Sequence, residues 1–240
     1  MIGVTVAAVM VETSRLKWDP YFDADEVEAM GQLAIERDME LVLTTWPAPQ
    51  VKVIDAMLDD MRGFLMSGAV AWEVDVEGQW KAKHVRGFDS LAAAEHYLYL
   101  QMRKMALPSD VRLELTTHTG HRECGPRARL TPRVDRFLPQ LYSCRHRPGG
   151  KLVAWNDGRL GPGRLQRHYG ARLPEHGKLC VGLPAWDQQW PGHEVEEAMQ
   201  LALDAAIELD PVEIRYWSSK HLWRRRNAQI AGFIAQRWGV

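Results

Sequence analysis

Glu73, Asp75 and Glu77 alternate along Trp72-Glu73-Val74-Asp75-Val76-Glu77-Gly78, which closes the apolar run Gly68-Ala69-Val70-Ala71. In an extended strand alternate side chains share a face, so this spacing aims three carboxyl groups the same way. Burying charge without partners is costly, and a strand that keeps three acids on one face is expected to use them. Two carboxyl groups in unlike environments at a strand end suit glycosidic bond cleavage. One protonates the leaving oxygen while the other stabilises the positive charge that develops. Glu77, beside apolar neighbours and Asp75, is expected to hold its proton near neutrality and serve as the acid. Glu73 lies deepest and also reads as a structural ion-pair partner for an arginine.

Those acids need a scaffold, and the hydropathy pattern supplies one. Gly3–Val11, Met39–Thr45, Gly68–Val76, Val111–Thr117, a short piece of Phe137–Ser143, Lys178–Leu183 and Val212–Trp217 read as strands. Between them Asp25–Arg37, Gln50–Met66, Ser90–Met105 and Glu194–Leu209 carry apolar residues at helical spacing, and His221–Arg237 reads as a closing helix. Asp89 or Ser90 is placed to cap the third of these helices. Lys151–Trp155 could add an eighth strand and Leu160–Tyr169 a short helix. Strand–helix alternation implies a parallel sheet with helices outside. The expected fold is α/β, a (β/α)8-type TIM barrel, irregular with seven or eight strands, formed by residues 1–240 as one domain. An open doubly wound sheet is the rival fold. No Gly-x-Gly-x-x-Gly or phosphate-loop pattern follows any strand, which disfavours that rival.

In a parallel barrel the active site lies where strands end. Those positions hold Glu12 and Thr13, Trp46, Asp75 and Glu77, Thr117 and His118, Tyr142 and Ser143, Trp186 and Asp187, and Tyr216 and Trp217. The set is acidic and aromatic. Aromatic faces stack on sugar rings and carboxylates bond hydroxyl groups, so Trp46, Glu73, Tyr142, Trp186, Asp187, Tyr216 and Trp217 are the expected substrate-binding residues. Glu77, Asp75 and Glu12 are the expected catalytic ones. No cofactor is called for.

Val74-Asp75-Val76-Glu77 resembles the Asp-x-Glu strand end of family 25 glycoside hydrolases, the lysozyme-type muramidases. It is also similar to the end of the Asp-x-Asp-x-Glu signature of family 18 chitinases, with Glu73 in place of the first aspartate. The resemblance implies a (β/α) barrel acting on N-acetylated amino sugars such as those of peptidoglycan. It makes Glu77 the proton donor and Asp75 the partner that orients the acetamido group. Glu12 takes the place of the muramidases' first-strand aspartate, and Arg215-Tyr216-Trp217-Ser218 resembles their late-strand aromatic lining.

Other residues support rival readings. His118-x-x-His121-x-x-Cys124 with Cys144-x-His146 offers metal-capable side chains, as a metal-dependent hydrolase would need, although the spacing is unlike common zinc modules. A non-catalytic glycan-binding module or phage structural barrel is the other alternative. Arg122, Arg127, Arg129, Arg133, Arg136, Arg145, Arg147 and Arg224-Arg225-Arg226 form a solvated basic face or attract an anionic polymer. The formal net charge of −1 argues against nucleic acid as a partner. No apolar stretch reaches membrane-helix length. Three cysteines do not make a disulfide scaffold. The N-terminus lacks a basic region before its apolar run, so cytoplasmic synthesis without a signal peptide is expected, with phage encoding and release by lysis as the route to a wall substrate. A carbohydrate polymer or oligosaccharide is the expected partner, and oligomeric state is left open.

Overall fold

The computed structural model describes residues 6–10, 17–66, 68–76, 80–105, 110–118, 134–140, 144–146, 152–154, 178–184, 195–207, 211–217, 229, 232–233 and 235–237. The chain forms two compact units. One comprises Thr5–Phe137 and Pro174–Gly177, the other Met1–Val4, Leu138–Leu173 and Lys178–Val240.

The first unit is a run of strands alternating with helices: β1 (Val6–Met10), α1 (Ala24–Glu36), β2 (Glu40–Thr45), α2 (Val51–Phe64), β3 (Ala71–Asp75), α3 (Leu91–Lys104) and β4 (Arg112–His118). All three strand pairs are parallel and follow chain order, β1 on β2, β2 on β3 and β3 on β4. A parallel partner needs a long crossover, and each intervening helix supplies one. The helices start where their caps dictate. Asp23 accepts from the Glu26 amide at 2.9 Å while Glu26 accepts from the Asp23 amide at 3.0 Å, a reciprocal capping box at α1. Ser90 rather than Asp89 caps α3, accepting from the Ala93 amide at 3.1 Å.

Register sorts the sheet into two faces. One carries the row Leu43–Trp72–Leu113 and the row Thr45–Val74–Leu115. It is apolar, as a surface covered by amphipathic helices must be, and α2 buries Val53, Ile54, Met57, Leu58, Met61 and Phe64. The indole of Trp72 donates to Thr45 Oγ1 at 2.8 Å, which satisfies the polar atom of a fully buried ring. The other face carries the rows Val42–Ala71–Arg112, Thr44–Glu73–Glu114 and Asp75–Thr116. It is also buried but polar: Thr44, Glu73, Glu114 and Thr116 are all fully enclosed.

The second unit contains β6 (Cys144–His146), β7 (Leu152–Ala154), β8 (Lys178–Pro184), α4 (Val195–Ile207) and β9 (Glu213–Trp217), while β5 (Arg136–Gln140) begins in the first unit and ends in this one. β8 and β9 pair in parallel across α4, which buries Met199, Ala202, Leu203 and Ala206. The Lys151–Trp155 stretch was expected to supply an eighth barrel strand. Its strand, β7, instead pairs antiparallel with β6 as a two-stranded ribbon. Residues 147–151 are too few for a crossover, so the two strands can meet only as a hairpin. The expected helix at Leu160–Tyr169 lies outside the described residues.

Candidate functional site

The parallel ladder brings the ends of β2, β3 and β4 to one rim. Asp75 is the last residue of β3, 5 % exposed, and faces Thr116 of β4 in register. The chain stays attached beyond it, because the Val76 amide donates to the Thr116 carbonyl at 3.0 Å. Trp46 follows β2 and is half-buried. Glu73 lies one step deeper on the same face, enclosed between Thr44 and Glu114. The expected alternation of Glu73 and Asp75 onto one face is therefore present. Glu77 and Glu12 lie outside the described residues, as do Tyr142, Trp186 and Asp187.

Below this rim lies a charged network that holds the polar face together. Arg112 Nη2 stands 2.6 Å from Glu40 Oε2, and Arg112 Nε stands 3.2 Å from Glu114 Oε1. Arg136 Nη1 approaches the same Glu114 oxygen at 3.8 Å. Two guanidinium groups thus compensate a carboxylate that has no exposed surface, as a buried charge requires. Burial alone would lower the Arg112 pKa, but its bonds to Glu40 and Glu114 and their charges outweigh it, so the net shift is upward. Glu114, level with Glu73 in the register, is thus held by arginine on this face. Arg112, Glu114 and Thr116 were missed as site residues. The signal was present, since Arg112-Leu113-Glu114-Leu115-Thr116 has the same polar–apolar alternation as the β3 acids.

In the second unit Arg215 is 5 % exposed and is ion-paired with Glu213 on the same strand. It stands level with Gly182 of β8 in the parallel register. Tyr216 is half-buried and, by pleat alternation, shares a face with Ile214 rather than with Arg215. Trp217 ends β9, with its side chain outside the described set. Gln140, buried at the end of β5, is a further polar strand-end residue that sequence reading passed over. In the alternative metal cluster, His121 and Cys124 are outside the described residues, as are the side chains of His118, Cys144 and His146. Among the described residues no group of three His, Cys, Asp or Glu is placed to hold a metal ion, and no helix is long and apolar enough to cross a membrane.

No family model matches the sequence, and no curated protein matches it. Solved structures do. A chitinase from Rhizomucor miehei aligns at 11% identity over 95% of this chain and 92% of its own, with a TM-score of 0.55. A β-1,4-D-mannanase from Cryptopygus antarcticus aligns at 10% identity over 97% and 79%, with a TM-score of 0.56. The Bacillus cereus spore cortex-lytic enzyme SleL aligns at 12% identity over 95% and 67%, with a TM-score of 0.52. Such likeness speaks to fold, since one fold hosts many chemistries. Parallel strands alternating with helices, matched across nearly the whole chain to these structures, give the protein an α/β fold of the (β/α)8 barrel type.

Proposed function

We propose that the protein is a glycoside hydrolase acting on an N-acetylated amino-sugar polymer such as peptidoglycan, related in its acidic strand to family 25 muramidases or family 18 chitinases. The observation that carries this reading is Asp75: an almost fully enclosed carboxylate at the last position of a parallel strand, above a second enclosed carboxylate, Glu73. Strand ends of this kind are where barrel enzymes keep their chemistry. Barrels of similar fold include enzymes named for chitin, mannan and spore cortex.

In this mechanism Glu77 protonates the departing glycosidic oxygen, a step that contributes about 10²–10⁴-fold in rate. Asp75 stabilises the developing charge or orients the acetamido oxygen for internal attack. Glu12 supplies the first-strand acid. Trp46, at the end of β2 beside this rim, holds a sugar ring, and Glu73 supports Asp75 from beneath. The chemistry draws on no cofactor.

Reducing-end release from peptidoglycan and chito-oligomers tests the assignment. Glu77→Gln is expected to abolish release while binding, measured by calorimetry, persists. Undiminished release with the fold intact removes Glu77 from the role. Binding without release by the unaltered protein identifies a glycan-binding module instead.

A further inference from the structure

The connection from β3 to α3 leaves the same rim as Asp75 and is rich in positive charge: Trp80-Lys81-Ala82-Lys83-His84-Val85-Arg86. Its shape is fixed. Trp80 is fully buried and anchors one end. Ala82–His84 forms a single 3-10 turn. Arg86 bridges to Gln50, its amide donating to the Pro49 carbonyl at 3.2 Å and its carbonyl accepting from the Val51 amide at 3.1 Å. The Arg86 guanidinium donates to the carbonyls of Lys83 at 2.9 Å and Val85 at 2.7 Å. Gly87 has φ +77°, and a Cβ there would lie 2.6 Å from Val51 Cγ1. The loop is therefore clamped to the segment that carries Trp46 out of β2 and into α2.

Charge is concentrated on this clamp. Lys83 and Arg86 are exposed, and Lys52 is exposed in the first turn of α2. That turn holds no acidic residue, and Gln50 makes no side-chain cap, so the positive end of the helix adds to the field. Among the described residues, Lys83, His84 and Arg86 form no ion pair. Asp55, one turn along α2, accepts the Tyr97 hydroxyl at 2.6 Å, and Asp89 lies beyond Gly87. The crowding is felt by His84, whose pKa is lowered by burial first and then by Lys83, Arg86 and Lys81. Like charges held together on a rigid frame repel, and an anion relieves them.

We propose that this loop is a subsite for an anionic substituent, a carboxylate or phosphate, borne by the glycan held at the Asp75 rim. The substrate is then an acidic polymer rather than a neutral one. This assignment rests on the glycosidase reading above and names the substrate class for it. Arg86 shapes the loop through its carbonyl bonds and Lys83 and Lys52 present the charge, while His84, held towards its neutral form by burial and its cationic neighbours, offers a ring N–H donor.

Three oligomers of equal length test it by calorimetry: neutral N-acetylglucosamine, the same backbone with lactyl carboxylates on alternate sugars, and a phosphorylated form. An anionic oligomer is expected to bind about tenfold more tightly than the neutral one at low salt, a preference that shrinks as salt rises. Lys83→Ala should reduce that ratio and Lys83→Glu should erase it, with unchanged circular dichroism. The tighter of the two anionic forms identifies the anion. Equal binding of neutral and anionic oligomers, or a ratio untouched in Lys83→Glu, overturns this inference and leaves the glycosidase reading standing. Failure to bind any of the three overturns both.

Discussion

Arg112 on β4 reaches past β3 to Glu40 on β2, closing to 2.6 Å between Nη2 and Oε2. Neighbouring strands lie about 4.8 Å apart, so the two side chains together bridge a backbone separation of roughly 10 Å. It is possible because β3 presents only the methyl group of Ala71 in the intervening row, Val42–Ala71–Arg112. The same guanidinium serves Glu114, which is wholly enclosed. Removing it by Arg112→Ala leaves that carboxylate poorly compensated and is expected to cost about 3–5 kcal/mol. Glu40→Gln touches only the more exposed end and should cost about 1 kcal/mol or less. Urea unfolding of the two variants checks the ratio.

Trp72 and Thr45 make a second testable pair, this time on the apolar face. Trp72→Phe strands the Thr45 hydroxyl and opens space in a packed core, so a loss of about 2–4 kcal/mol is expected. Thr45→Val strands the buried indole N–H of Trp72 without opening a cavity and should cost about 1–3 kcal/mol. A double-mutant cycle by chemical denaturation should return a coupling of roughly 0.5–1.5 kcal/mol.

Asp75 and Glu73 share a face but are assigned different work. Asp75→Asn, at the rim, should lower kcat for glycan hydrolysis by about 10²-fold while KM and the unfolding midpoint move little. Glu73→Gln, one step deeper, should shift the midpoint and affect kcat less. The reverse pattern reassigns the two carboxylates.

His84 gives the protein an acid sensitivity of predictable sign. Its folded pKa lies below its ordinary value of 6.5 because of burial and the adjacent cations. Below pH 6.5 the unfolded chain therefore takes up a proton that the folded chain resists. The stability contributed above that pH is lost as pH falls towards the folded pKa. Urea midpoints measured between pH 7 and pH 5 should fall further for the unaltered protein than for His84→Gln.

Much of the scaffold was legible because its signals are local. β2, β3 and β4 announce themselves as short runs bounded by turn residues, and α2 by Val53, Met57, Leu58 and Leu65 at helical spacing. The acidic face of β3 was legible for the same reason, since pleat parity needs only Glu73 and Asp75. What escaped depends on partners. That Leu152–Ala154 joins Cys144–His146 instead of the parallel sheet is a pairing choice, which composition does not encode. Arg112 was overlooked because its importance comes from Glu40, distant in sequence and brought close by the register. The rim loop was missed because its rigidity comes from Gly87 and the bridge to Gln50 rather than from any periodic pattern.

The seat of Gly87 against Val51 welds the basic connection and the first turn of α2 into one mechanical piece. A methyl group at that point would pry them apart without altering a single charge. Gly87→Ala thus separates placement from electrostatics: it keeps every cation and moves where they stand.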